Sequence, residues 1–194
     1  MSLRNKEILE ALEQKKQPVL SFEVDNARMS LARYIVERDG LTGQMREAYE
    51  QTSETWHDNA AADSINSAAG ILAEAAKRAI TIMKDSVVFS EEFELEDGVT
   101  LGSIISMRYG QSEPENYFFT GVTRELPDEL IQQLHDQGHD EFGIFTISSP
   151  MGQVLLGKKI GEKIPFQTPR GTTVELTIDE INPLRLPASQ KIQN

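Results

Sequence analysis

The sequence predicts an α+β protein: an N-terminal antiparallel helical hairpin of coiled-coil type, followed by a small domain built on an antiparallel sheet. Two heptad-spaced apolar series separated by a short polar segment predict the hairpin. From Val87 onward the pattern changes to short apolar runs rich in β-formers and bounded by turn residues, which predicts the sheet. The length agrees, since 194 residues is roughly 1.3 domains at about 150 residues each. The boundary falls after residue 85, giving a helical domain over 1–85 and an α+β domain over 86–194.

Taken in order, residues 3–16 place Ile8, Leu9 and Leu12 on one face of a short amphipathic helix that Pro18 then breaks. Asp25 and Asn26 are N-cap types at the head of the first heptad series. That series runs Ala27, Leu31, Tyr34, Arg38, Leu41, Met45, Ala48 and Thr52. The second runs Ala61, Ile65, Ala68, Leu72, Ala75, Ala79 and Ile82. Each arm of about 26 residues extends roughly 39 Å at 1.5 Å per residue. An alanine-rich seam lets two helices approach closely but buries little apolar area, so the rod is thinly cored. Arg38 in the seam and Gly40 and Gly43 beside it weaken the first arm further. Periodicity alone serves both a rod that reaches into a narrow place and a hairpin packed against its own domain or another subunit.

In the second domain, residues 99–109 read as a strand, 110–116 as a loop, 117–123 as the returning strand and 144–148 as a third. Ser149 is a helix N-cap, Pro150 a first helical residue and Gly157 a stop. Residues 164–168 and 173–181 form a hairpin around Pro169-Arg170-Gly171. Between strands, Leu130, Ile131 and Leu134 mark a short helix. His135 and His139 follow at the i, i+4 spacing of a metal helix. Gly138 interrupts that helix, and Asp136 stands where a zincin needs glutamate, so a solvated acidic loop is the preferred reading.

Composition excludes several function classes. The chain has no cysteine, which removes disulfides, thiol nucleophiles, iron–sulfur clusters and thiolate zinc sites. Three histidines, His57, His135 and His139, leave few ways to build histidine-based catalysis. The net charge of −12 does not suit phosphate binding along nucleic acid, and no sequence-specific DNA binding is expected. That charge is concentrated: residues 86–141 hold 2 basic and 13 acidic groups, whereas residues 142–194 hold 6 basic and 4 acidic ones. No apolar run reaches membrane-span length and the N-terminal residues lack a signal-peptide core, so a cytoplasmic protein is expected.

The run Ser148-Ser149-Pro150-Met151-Gly152-Gln153-Val154-Leu155-Leu156-Gly157-Lys158-Lys159-Ile160-Gly161-Glu162, with Thr168-Pro169-Arg170-Gly171 after it, resembles the C-terminal signature of the Gre family of bacterial transcript-cleavage elongation factors. Thr146 stands where that family usually has serine, and Val154 where it prefers a small residue. The resemblance implies an FKBP-like second domain behind the coiled coil and RNA polymerase as partner, with the nascent RNA 3′ end met only indirectly. It also implies that the coiled coil enters the polymerase's secondary channel, where acids at its tip help hold Mg2+ at the polymerase's own active site. The chain would then be an accessory factor with no cofactor of its own.

At the tip the family pattern is Asp, two residues, Glu, then Asn-Ala. This chain reads Glu54-Thr55-Trp56-His57-Asp58-Asn59-Ala60, so Asp58 matches the glutamate, while the acid that should precede it by three is Thr55 and the nearest is Glu54. The resemblance therefore implies Glu54 and Asp58 as the metal-directed acids, with Trp56 and Asn59 touching the partner. Asp58 and Asn59 also suit helix N-capping. Ser149, Pro150 and Met151 are expected to help the second domain dock. Two other readings stand beside this one: a channel-entering regulator that does not stimulate cleavage, and, ranked lower, a peptidyl-prolyl isomerase or chaperone, which would require an open aromatic pocket although Tyr109, Phe118, Phe145 and Phe166 fall where strand cores would use them.

Overall fold

A computed structural model of the chain describes residues 1–51, 60–90, 93, 98–123, 125–168 and 170–184. They form two compact units, one of Met1–Glu23 with the chain from Ser86 onward, the other of Val24–Asp85. The α+β expectation holds, with long helices ahead of a sheet. Residues 1–23, expected to belong with the hairpin, lie instead in the unit that carries the sheet.

The reason begins with helix α1 (Leu3–Glu13) and strand β1 (Gln17–Leu20). Ser2 caps α1 by accepting the Asn5 amide at 3.1 Å. The buried face of the helix is Asn5, Ile8 and Ala11, and Leu12, expected on that face, is exposed. Pro18 does not simply end a helix. It lies within β1, which pairs in parallel with β2 (Ser86–Phe89) from Gln17↔Ser86 to Leu20↔Phe89. A two-stranded sheet is all edge, so a proline without a donor is tolerated there.

The main sheet runs in the order β5-β4-β3-β7-β6. β3 (Ser103–Tyr109) pairs antiparallel with β4 (Glu115–Thr120) and with β7 (Thr173–Pro183), and β6 (Lys163–Gln167) pairs antiparallel with β7. β5 (Gly143–Thr146) departs from the all-antiparallel expectation and lies parallel to β4. Parallel neighbours require a crossover, and helix α4 (Asp128–Asp136) occupies that connection. β3 begins later than residue 99 because Gly98 and Gly102 both have positive φ, bending residues 98–102 into a turn. Helix α5 (Pro150–Leu155) follows β5 with Ser149 as its cap, as expected.

One core fills this unit. Ile104, Ile105, Met107, Phe118 and Phe119 from β3 and β4 meet Leu176 and Ile178 of β7, Leu134 of α4 and Leu155 of α5. Ile8 and Leu20 from the N-terminal segment belong to the same cluster, which accounts for the placement of residues 1–23.

The second unit consists of most of α2 (Ser21–Gln51) and of α3 (Ala60–Asp85). α2 begins before Asp25 and Asn26, so those residues are interior rather than caps. Its shielded positions follow the heptad series: Ala27 is buried, Leu31, Tyr34, Leu41, Met45 and Ala48 are half-buried, and Arg38 is exposed. In α3 the series holds at Ile65, Ala68, Leu72, Ala79 and Ile82, but Ala75 is exposed and Ala76 takes its place. The step from Leu72 is thus four and then three, the reverse of the sequence reading. All the hydrophobic side chains buried among the described residues of this unit are alanines: Ala27, Ala62, Ala76 and Ala79.

Candidate functional site

Two regions bear on function, one in each unit. In the hairpin unit, α2 ends at Gln51 and α3 starts at Ala60. Glu54, Trp56, Asp58 and Asn59 lie outside the described residues. Tyr34, Leu41, Met45 and Tyr49 of α2 and Ile65 and Leu72 of α3 line an apolar groove of about 360 Å³ bordered by Arg38 and Arg46. Leu41 and Leu72 also line a second groove with Gly40, Gln44, Ala68 and Ile71. Alanines at shielded positions leave such furrows because small side chains fill little of the space beside a helix. Ile35, Val36, Tyr49 and Ile71 are exposed, so this rod offers apolar contact surface along its length.

In the sheet unit, the expected docking residues around α5 divide sharply by role. The Ser149 hydroxyl donates to the Thr146 carbonyl at 2.7 Å and accepts the Gly152 amide at 3.0 Å, so it is committed to the cap. Met151 is buried in the core, and Pro150 is the exposed member of the three. Gly152 is required by space: a Cβ there would lie 2.1 Å from the Thr146 carbonyl oxygen and 2.9 Å from the Phe119 ring. Gly157, with φ of 77°, turns the chain after α5 and donates to the Val99 carbonyl at 2.8 Å, while Val99 donates to the Lys158 carbonyl at 2.8 Å. Glu162 accepts the Lys159 amide at 2.9 Å and pairs with Lys158 at 3.3 Å, contacts that hold its carboxyl below the ordinary range. The signature is therefore largely a folding instruction. Sequence reading missed the group it leaves outside, Ile160, which is 59% exposed beside Lys159. An isoleucine between lysine and glycine in a turn was the available signal.

The acidic segment after β4 does not assemble a metal site. α4 ends at Asp136, and Gly138 (φ of 86°) reverses the chain so that the His139 amide donates to the Leu134 carbonyl at 3.0 Å. His135 and His139 therefore do not share a helical face. Among the described residues no group of three or more His, Asp or Glu side chains is placed to hold a metal ion. Of the aromatics expected in strand cores, Phe118 is fully buried, and Phe145 stacks on Tyr117 with ring centroids 4.2 Å apart. Tyr117 also bonds Glu115, and burial reinforced by that contact raises its phenol well above the usual range.

Two charged features escaped the sequence reading. Arg108 of β3 grips Asp179 of β7 through its Nε and one terminal nitrogen, with Nε to Oδ2 at 2.9 Å, and this lowers the Asp179 pKa. Glu23, 2% exposed, accepts four backbone amides: Leu20 at 2.8 Å and Gly121 at 3.0 Å on Oε2, and Val122 and Thr123 at 2.8 Å each on Oε1. Burial raises its pKa, and the four amides act against that shift. An acid three residues after an apolar strand end, reaching back to the Leu20 amide as in half of a capping box, was the local clue. Its other partners are about a hundred residues away in sequence.

Residues 135–183 match a family described as transcription elongation factor, GreA/GreB, C-terminal. Curated relatives include the transcription elongation factor GreA of Saccharopolyspora erythraea, 32% identical over 82 residues that cover 42% of this chain and 44% of that protein. The GreA proteins of Prosthecochloris aestuarii (28% over 105 residues, 50% of this chain and 62% of that one) and Roseiflexus castenholzii (29% over 99 residues, 50% and 54%) also match. The chain thus spans about half the length of the curated relatives it matches. Among solved structures, GreA factor homolog 1 of Thermus thermophilus is similar at 16% identity, with a TM-score of 0.37 over 86% of this chain and 99% of that one. A GreA/GreB factor of Nitrosomonas europaea gives 17% identity and a TM-score of 0.33, over 86% and 98%. The Gre-family resemblance carried by residues 148–171 is borne out, for those residues lie within the matched family region.

Proposed function

We propose that this chain is a Gre-type elongation factor that binds RNA polymerase, inserts its hairpin into the secondary channel and stimulates cleavage of backtracked RNA from the tip segment 52–59. The observation that carries this reading is the match of residues 135–183 to the GreA/GreB C-terminal domain, in a chain that also bears a two-helix hairpin. The chain is an accessory factor in this reading, working in the cytoplasm, and the hydrolysis is the polymerase's own.

The residue chemistry suits that division of labour. Glu54 and Asp58 are hard oxygen donors, the type Mg2+ takes alongside waters and phosphate oxygens. Such an ion, shared with the polymerase, would supply charge neutralisation for in-line attack at the scissile phosphate. This chain's task is to present two carboxylates at the end of a narrow rod, with Trp56 and Asn59 meeting the channel wall. The excess acid of residues 86–141 does not oppose the reading, because the proposed contacts are to polymerase protein and metal rather than along nucleic acid.

Cleavage of backtracked complexes by purified polymerase, with polymerase pull-down measured in parallel, tests the reading. Glu54→Ala and Asp58→Ala are each expected to lower cleavage at least about tenfold while pull-down is retained. Parent-level cleavage by both variants removes the metal-directed role, and failure of the parent chain to bind polymerase removes the whole reading. One observation favours a second reading, a channel-entering regulator that does not stimulate cleavage: Thr55 occupies the position where the Gre pattern has its first acid. In that case the parent binds polymerase without adding cleavage, and Thr55→Asp gains it.

A further inference from the structure

We infer that the Glu23 carboxylate is the fastener that commits residues 1–23 to the sheet unit, and that its four-amide cradle is an anion site able to take a free small carboxylate once the side chain is removed. This goes beyond the polymerase reading and does not rest on it. Glu23 is the last residue of the N-terminal part of the sheet unit. It is 2% exposed, and each of its oxygens accepts two amides at 2.8–3.0 Å, one from Leu20 and three from the consecutive residues 121–123. Convergent backbone amides form a concave anion-binding nest. Here the chain supplies its own anion, from about 100 residues away in sequence.

The cradle is shaped for that anion. Gly121 lies so close to the N-terminal segment that a Cβ would fall 2.1 Å from the Pro18 carbonyl oxygen and 2.7 Å from Glu23 Oε2. The segment is also attached through β1 and through Arg4, whose guanidinium donates to the Ser90 carbonyl and lies over the Phe89 ring. The Arg4 guanidinium reaches the Leu101 carbonyl at 3.0 Å and Thr100 Oγ1 at 3.1 Å, and the Asn5 side-chain amide reaches the Val99 carbonyl at 3.3 Å. Bonds to an ionised, buried acceptor belong to the stronger class, and Glu23 gathers four of them at one point. The hairpin unit Val24–Asp85 is consequently an insertion between β1 and β2, two strands of one unit that pair directly.

Hydrogen exchange on the full chain tests this, in chloride and in formate at equal ionic strength. Glu23→Ala is expected to speed exchange about tenfold or more across residues 3–20 and 121–123, leaving residues 31–48 of the hairpin unchanged. Formate, which fits the emptied cradle, restores slow exchange in Glu23→Ala. It does nothing for Glu23→Gln, whose side chain fills the cradle and turns N–H groups toward N–H groups. Gly121→Ala reproduces the fast exchange without formate rescue. If Glu23→Ala does not fold in chloride, folding regained in formate supports the assignment, and continued unfolding in formate overturns it. Unchanged exchange in residues 3–20, equal acceleration in the hairpin, or formate slowing the parent as much as the alanine variant also overturns it.

Discussion

Ser149 and Gly152 show how far a recognisable motif is a statement about folding. Ser149→Ala removes a cap whose oxygen serves the Gly152 amide, a loss of about 1 kcal/mol. Gly152→Ala drives a methyl into the Thr146 carbonyl and the Phe119 ring, neither of which can yield, and is expected to cost at least about 3 kcal/mol. Urea unfolding of the two variants should rank them in that order, and equal losses would refute the steric account of the glycine. Asp179 gives a residue-level pH prediction. Arg108 lowers the Asp179 pKa in the folded chain, so the pair's contribution is present above the ordinary aspartate range and is lost as pH falls through the lowered value. The measured slope of stability against pH on the acid side should therefore be shallower in Asp179→Asn than in the parent. Because Arg108 is 43% exposed, the effect belongs with modest ion pairs.

At the scale of elements, legibility follows sequence distance. The α5 cap, the proline after it and the Gly157 stop were readable because every partner lies within a few residues. The heptad series of α2 was readable because one face of a helix repeats; it failed at Ala75 and Ala76, where two adjacent alanines satisfy either phase. Pro18 misled because the parallel partner of β1 lies some 70 residues on, and β5 misled because nothing in its own sequence says which way it will run. The Glu23 cradle was hidden for the same reason. Of the expected functional residues, those around α5 were located by local pattern, while their contact roles were not, since burial of Met151 and capping by Ser149 are tertiary facts. The hairpin carries its own prediction. Gly40 and Gly43 sit inside α2, with nothing within 4 Å of an added Cβ. Replacing each with alanine should add up to about 1 kcal/mol of helix stability, seen as raised helicity and later melting of the full chain. No gain in either would mean that the glycines do not limit the arm.

For the molecule as a whole, the unequal cores predict two unfolding events rather than one. The sheet unit gathers large side chains from nine elements, including Ile8 and Leu20 from the N-terminal segment. The hairpin unit, by contrast, fully buries only alanines among its described hydrophobic residues, and alanine contributes little transfer free energy. Helical stability in proteins rests mainly on packing of an apolar face, so the hairpin should open first. Residues 1–23 decide between this division and one made at residue 85. If the units follow the packing, native-state exchange at rising urea will show residues 31–48 and 65–82 opening together at low denaturant. Residues 8–20 will then stay protected until residues 104–119 and 176–181 are lost. Opening of residues 8–20 with the hairpin would restore the simple division into an N-terminal and a C-terminal half. For the proposed role the order matters: a hairpin unit that loosens while the sheet unit stays folded can adjust to a partner without unfolding the domain proposed to dock.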